Sequence, residues 1–140
     1  MTETCYMCDE EGTTKEHAPP ISFFPDQESF LSIGIEIEDM RKNLIRVPSC
    51  PKHNTGKSGD DVFARNILVM NQGTNDVGQN QFRAKVLRAF KRDSSLLAQF
   101  QIDTKPVILT DGKGTFETNA MTGDVDRFNS WMDKLGRALY

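Results

Sequence analysis

The sequence predicts an α+β fold, and three observations lead to that prediction. Two short segments near the N-terminus, 13–18 and 43–48, have the β-branched or alternating apolar residues of paired strands. Later segments place apolar residues three and four positions apart, as amphipathic helices do. All three cysteines of the chain lie close to the two strand-like segments, which indicates that their side chains staple this small first part together.

The helical part of the prediction rests on periodicity and on residues that start helices. Pro51 suits the first turn of a short helix after the second strand. Longer helices are predicted at 60–70, 79–92 and 124–140, and a short helix is predicted after Ser94. A second hairpin is predicted at 106–118. We therefore expect one unit over 1–70 and a helical extension with its hairpin over 71–140.

Composition indicates an ordinary globular chain, with 37% hydrophobic residues, 26% charged residues and a formal net charge of −3. No apolar run approaches the roughly 18 residues of a bilayer span, and the first residues lack the basic and apolar regions of a signal peptide. We therefore expect no membrane association and a cytoplasmic location. Cysteines stay reduced in that compartment, which favours metal binding over disulfides.

The charges are unevenly distributed along the chain. Acidic residues crowd 3–11 and 26–39, whereas five basic residues cluster in the predicted helix 79–92. The net negative charge argues against a general nucleic-acid-binding protein, although a local basic surface can still attract a polyanion. The basic side of this helix is either a track for a phosphate backbone or an ordinary solvated face. The five residues are Arg83, Lys85, Arg88, Lys91 and Arg92.

Two pairs of metal-ligand residues lie on either side of the first strand pair. Cys5 and Cys8 are separated by two residues, and so are Cys50 and His53. Tetrahedral zinc takes four thiolate or imidazole ligands, and two such pairs on separate turns supply them. We therefore predict a structural zinc ion on these four residues. The alternative is that the cysteines are reduced and buried and that His53 is an unrelated surface residue.

A second group of polar residues has the chemistry of phosphodiester hydrolysis. His17 can deprotonate water near neutral pH. Glu16 and Asn54 offer the hard oxygens that hold a divalent cation, which neutralises the attacked phosphate. Because neighbours on a strand point to opposite faces, Glu16 and His17 reach one site only if the strand end is irregular, as the two following prolines allow. The alternative is a solvated glutamate, a histidine bonded to backbone, and two turn asparagines, Asn43 and Asn54.

In combination these motifs resemble those of the HNH endonucleases, the ββα-metal or His-Me finger nuclease family. Members of that family combine a first cysteine pair, an acidic residue before a histidine, a middle asparagine, a second ligand pair and a lysine. The resemblance covers about the first 60 residues. The matching motifs are Cys5-x2-Cys8, Glu16-His17 before Pro19-Pro20, Asn43-Leu44, Cys50-x2-His53-Asn54 and Lys57-Ser58.

The resemblance implies a zinc-stapled ββα-metal finger and a role for each motif residue. His17 would be the general base, and Asn43 would orient it or shape the loop. Glu16 would stand where the family has its metal-binding aspartate, and Asn54 where it has its final histidine. Both would then hold a catalytic Mg²⁺ or Mn²⁺. Lys57 would contact a phosphate.

Three departures from the family pattern accompany the resemblance: Glu16 for aspartate, His53 for cysteine, and Asn54 for histidine, the last as in the H-N-N variant. We predict a metal-dependent endonuclease that cleaves DNA, with RNA left open as a substrate. One alternative is a non-catalytic zinc module that binds nucleic acid or a protein. A further hypothesis is a protein partner, or oligomer formation, through the C-terminal helices.

Overall fold

A computed structural model describes residues 3–71, 73–101 and 103–140, and it confirms a mixed α+β architecture. The first part of the chain contains β1 (Thr14–His17), α1 (Gln27–Leu31), β2 (Arg46–Ser49), α2 (Pro51–Asn54) and α3 (Ser58–Met70). The second part contains α4 (Asp76–Gln81), α5 (Leu87–Arg92), α6 (Ser95–Ala98), β3 (Asp103–Asp111), β4 (Gly114–Thr122) and α7 (Val125–Leu139).

β1 and β2 form an antiparallel pair in which Thr14 lies opposite Ser49 and His17 opposite Arg46. β2 begins three residues later than the alternation of 43–48 predicts. The reason is Asn43, whose φ of 57° is left-handed and therefore belongs to a turn rather than a strand. α2 follows β2 directly, with Pro51 in its first turn as predicted.

The connection between β1 and β2 is anchored to the second part of the chain. Its short helix α1 is capped by Asp26, whose Oδ1 accepts a hydrogen bond of 2.8 Å from the backbone N–H of Ser29. Asp26 also forms an ion pair of 2.9 Å with Lys85, and Gln81 donates a hydrogen bond of 3.0 Å to the Ser22 carbonyl. The loop is thus held against the later helices.

The predicted helix 79–92 is one continuous helix that begins earlier, at Asp76. It consists of α4, a π-helical turn over Phe82–Val86, and α5. The side chain of Asn75 caps it by accepting a hydrogen bond of 3.0 Å from the N–H of Gly78. We call residues 76–92 the basic helix, because the five clustered basic residues all lie within it.

The hydrophobic core lies between α3, the basic helix, α6 and α7. Phe63 of α3 stacks on Phe100, with ring centroids 5.3 Å apart. The buried members of this core are Phe63, Val69, Val86, Phe90 and Phe100. Both parts of the chain contribute to this core. The division at residue 70 stays a prediction. Trp131 of α7 is buried separately, stacked on Phe23 of the β1–β2 connection at 4.9 Å.

The second hairpin is longer than the predicted 106–118, because β3 and β4 pair over their full nine residues. A cavity of about 740 Å³, lined mostly by apolar side chains, separates it from α3 and α7. Among the helices of the described residues, none combines the length and the hydropathy that crossing a bilayer requires.

Candidate metal centre and the adjoining polar site

The structure brings the four predicted zinc ligands together. Their ligand atoms all lie within 4.8 Å of one another. His53 Nδ1 is 3.6 Å from Cys5 Sγ, 3.5 Å from Cys8 Sγ and 3.3 Å from Cys50 Sγ, and the last two sulfurs are 3.9 Å apart. Tetrahedral bonds of about 2.3 Å to sulfur and 2.0 Å to nitrogen separate ligand atoms by roughly 3.5 to 3.8 Å. The four residues could therefore bind a metal ion such as zinc.

The first ligand pair lies on a tight turn that is bonded to the second strand. Within the turn, the N–H of Cys5 donates to the Glu10 carbonyl at 2.8 Å. The N–H of Tyr6 donates to the Pro48 carbonyl at 3.0 Å and so links the turn that contains the first ligand pair to β2. Gly12 permits this close approach, because a Cβ there would lie only 2.7 Å from the Cβ of Pro48.

The second ligand pair is positioned by helical geometry. Cys50 is the residue before α2, and His53 lies one turn later, so both side chains fall on the same side of the helix. The N–H of His53 donates to the Cys50 carbonyl at 3.1 Å and closes that turn. A spacing of two intervening residues therefore becomes a pair of convergent ligands.

The thiols of the cluster differ in their tendency to ionise. Burial raises the pKa of the Cys5 thiol, but hydrogen bonds with the backbone of Cys50 and Met7 and with the side chains of His53 and Cys8 together outweigh burial and lower it to about 6. Burial raises the pKa of Cys50 to about 11. Adjacent thiolates repel one another, so full ionisation of the cluster requires a cation at its centre.

Glu16 and His17 point to opposite faces of β1. The strand pairing continues regularly through His17, so the irregular strand end that would bring both side chains to one site does not form. Glu16 is buried, with only 6% of its surface exposed, whereas His17 is partly exposed. Glu16 faces the same side as Thr14, toward the segment that follows α2.

Glu16 takes part in a buried network of charges that includes Lys57. The Lys57 ammonium is 3.3 Å from a Glu16 oxygen and 3.7 Å from an Asp61 oxygen. Asp61 also accepts a hydrogen bond of 2.7 Å from the indole N–H of Trp131. The Tyr6 ring lies beside the same ammonium, its centroid 5.7 Å away. Lys57 thus directs its charge into the protein, and its predicted contact with a phosphate stays a prediction.

Burial acts on the pKa values of all three ionisable groups in this network. It raises the pKa of Glu16 and of Asp61 above their usual values despite the nearby Lys57. Burial also opposes the charge of Lys57, but the interactions with Asp61, Tyr6 and Glu16 together outweigh it and raise the Lys57 pKa. Two carboxylates thus share one ammonium ion, which stays protonated.

His17 is paired with an arginine that the sequence reasoning missed. The Arg46 guanidinium, directly across the strand pair, donates a hydrogen bond of 3.1 Å from Nε to Nε2 of His17. Burial and the charge of Arg46 lower the pKa of His17 below 6.5, so the neutral ring predominates near pH 7. The alternation of the two predicted strands was the signal that could have identified Arg46 as its neighbour.

The two asparagines lie at different ends of the strand pair. Asn54 donates from Nδ2 to Thr14 Oγ1 at 3.0 Å and thereby holds α2 against β1. Asn43 is exposed in the turn before β2. Two residues later, the Ile45 carbonyl accepts a hydrogen bond of 3.0 Å from the backbone N–H of Ala18, the residue after His17. Asn43 is therefore near the strand end that contains His17, and Asn54 near the opposite end.

Comparison with known proteins adds no relative to this description: no protein-family model matches the chain, and no curated protein or solved structure is significantly similar to it. Among the described residues, the cysteine–histidine cluster is the one group of three or more His, Cys, Asp or Glu side chains arranged to hold an ion. The sequence motifs and the geometry of the site are therefore the grounds on which a function can be assigned.

Proposed function

We propose that the chain is a metal-dependent endonuclease of the ββα-metal finger type that hydrolyses phosphodiester bonds in DNA, in the cytoplasm. The observation that supports this function best is that the two ligand pairs, Cys5 with Cys8 and Cys50 with His53, lie together in one cluster. A metal ion bound by these four residues would hold β1, β2 and α2 side by side. His17 then lies on an accessible strand end next to Arg46.

His17 and Arg46 supply the groups that attack on a phosphodiester needs. The neutral imidazole accepts a proton from water, and the resulting hydroxide attacks phosphorus as the bond to the 3′-oxygen breaks. The departing oxygen takes a proton from solvent. Arg46 would bind a phosphate oxygen, and in doing so its Nε–H would leave Nε2 of His17 free to accept the proton from water.

Glu16 and Asn54 are the residues that would hold Mg²⁺ or Mn²⁺, which when bound neutralises charge on the phosphate. Their placement fits this role in one respect, because Glu16 faces the same side of β1 as Thr14, to which Asn54 is bonded. The Lys57 ammonium already contacts Glu16 on that side. A cation held there would have to displace Lys57 and would lie on the face of β1 opposite His17, so one phosphate reaches both the cation and His17 only if the end of β1 rearranges when DNA binds.

The decisive experiment is a plasmid-nicking assay on the zinc-loaded protein with added magnesium or manganese. We expect nicking by the wild type and a loss of roughly 100-fold or more in His17→Ala, since a positioned general base contributes about that factor. Equal zinc content in the two proteins controls for folding. Equal nicking by both proteins, or none by the wild type, would contradict the proposal. A parallel assay on RNA decides between the two substrates.

A second candidate function is a zinc-dependent binding module without catalysis. The buried pairing of Glu16 with Lys57 favours it, because that pairing gives both residues a structural role. In this case the wild type and His17→Ala bind nucleic acid or a protein equally well and neither cuts DNA. The same two proteins therefore discriminate between the candidates.

A further inference from the structure

A groove of about 420 Å³ opens between α1 and the basic helix, outside the cysteine–histidine cluster and the His17 site. Four of the six residues that line it are basic, and none of them is acidic. They are Ser29, Ala84, Lys85, Arg88, Lys91 and Arg92. We call this concavity the basic groove.

Most of the positive charge in the basic groove is available to a ligand. Lys85 is the exception, since its ammonium is 2.9 Å from Asp26. Arg88 donates a hydrogen bond of 3.0 Å to the Ser32 hydroxyl, which is neutral and leaves the guanidinium charge uncompensated. The exposed side chains of Lys91 and Arg92 form no hydrogen bond or ion pair with any described residue. Three cations thus line one concave surface of a chain whose net charge is −3.

The spacing of these cations suits a linear polyanion. Lys91 and Arg92 follow Arg88 at three and four positions, so the three uncompensated cations lie along one face of the basic helix. At 1.5 Å per residue this stripe is about 6 Å long. It therefore matches a row of phosphates better than a single anion.

We propose that the basic groove binds the phosphate backbone of a nucleic acid. Its opposite wall, α1, belongs to the connection that leaves β1 just after His17, so the groove and the site are linked by one ordered segment. Backbone contacts of this kind position the nucleic acid without reading its sequence. The choice of a nucleic acid as the ligand rests on the proposed function. The shape of the groove and its uncompensated charges are observed independently of that function.

The test is binding of a short labelled DNA duplex, followed by fluorescence anisotropy over a series of salt concentrations without added magnesium or manganese. The groove variant is Lys91→Gln with Arg92→Gln. Its matched control is Arg83→Gln with Lys105→Gln, which removes the same charge from residues that do not line the groove. The slope of log affinity against log salt should fall by about two in the groove variant, with on the order of tenfold weaker binding. The control variant should keep the wild-type slope.

Three results would overturn the inference: wild-type binding by the groove variant, equal losses in both variants, or, in a parallel titration with anionic phospholipid vesicles, a loss by the groove variant that occurs with vesicles and not with DNA. A small diester, bis(4-nitrophenyl) phosphate, separates this inference from the proposed endonuclease. Its hydrolysis should be abolished by His17→Ala and unaffected in the groove variant, because it has no backbone to contact the groove. If the wild type leaves the diester intact while the groove variant loses DNA binding, the endonuclease is wrong and the groove stands.

Discussion

Lys57 has an environment that its position in the sequence does not reveal. In the sequence it follows the second ligand pair and resembles a phosphate contact. In the structure a 3₁₀ turn over Thr55–Lys57 precedes α3, and the side chain is turned inward between Glu16 and Asp61. A buried ammonium in such a network is costly to remove, because its carboxylate partners are left without a counter-charge.

We expect Lys57→Met to lower the free energy of unfolding by roughly 3–5 kcal/mol, since it leaves Glu16 and Asp61 buried without their cation. Urea unfolding of the zinc-loaded protein measures the loss. Lys52→Met, on the exposed side of α2, is the matched control and should be near neutral. Adding Glu16→Gln to Lys57→Met should recover part of the stability. Wild-type stability in Lys57→Met would show that the lysine is not a structural residue.

The contact between α1 and the basic helix depends on Asp26. This carboxylate caps α1 and meets both Lys85 and, at 3.5 Å, Arg41. Although burial acts to raise its pKa, the hydrogen bonds from Lys85 and Ser29 lower it well below the usual 3.8. One side chain therefore fixes a short helix that could not persist alone and attaches it to a longer one.

Asp26→Asn should destabilise the protein by roughly 1–3 kcal/mol at neutral pH, because it removes charge-assisted hydrogen bonds. The native pKa of Asp26 is lowered, so its stabilisation is present above the unfolded value of 3.8 and is lost as pH falls through the native value. The stability difference between wild type and variant, measured by urea unfolding, should thus shrink on acidification below 3.8. Glu28→Gln, exposed on the same helix, is the control and should cost much less stability than Asp26→Asn at neutral pH. A difference that is constant with pH would contradict this account.

The whole molecule combines two means of stabilisation. Its helical part has a hydrophobic core of stacked aromatic and aliphatic side chains. The strand pair instead has few buried apolar residues, and the cluster that closes the segment between Cys8 and Cys50 lies beside it. An ion in the cluster would offset the entropy of closing that segment.

Removal of the metal should therefore unfold one part of the molecule before the other. We expect about one zinc per chain from its four ligands. A chelator should remove hydrogen-exchange protection from β1 and β2, while α3 and α7 retain theirs through the core. Hydrogen-exchange mass spectrometry with and without chelator measures this, and readdition of zinc is the control. Equal protection in both states, or loss throughout the chain at once, would contradict the prediction.

Short-range regularities explain what the sequence by itself determined. The alternation of apolar residues predicted the β1–β2 pair, and the helical periodicity predicted the long helices. The spacing of two intervening residues predicted that Cys5 converges with Cys8 and Cys50 with His53. Each of these features depends on local backbone geometry. The tertiary structure alone decided that Glu16 and Lys57 are buried together. It also decided that Trp131 bonds to Asp61 and that α1 forms a wall of the basic groove. These contacts join residues far apart in the chain, so they depend on how the helices and the strand pair pack, and no local pattern specifies that packing.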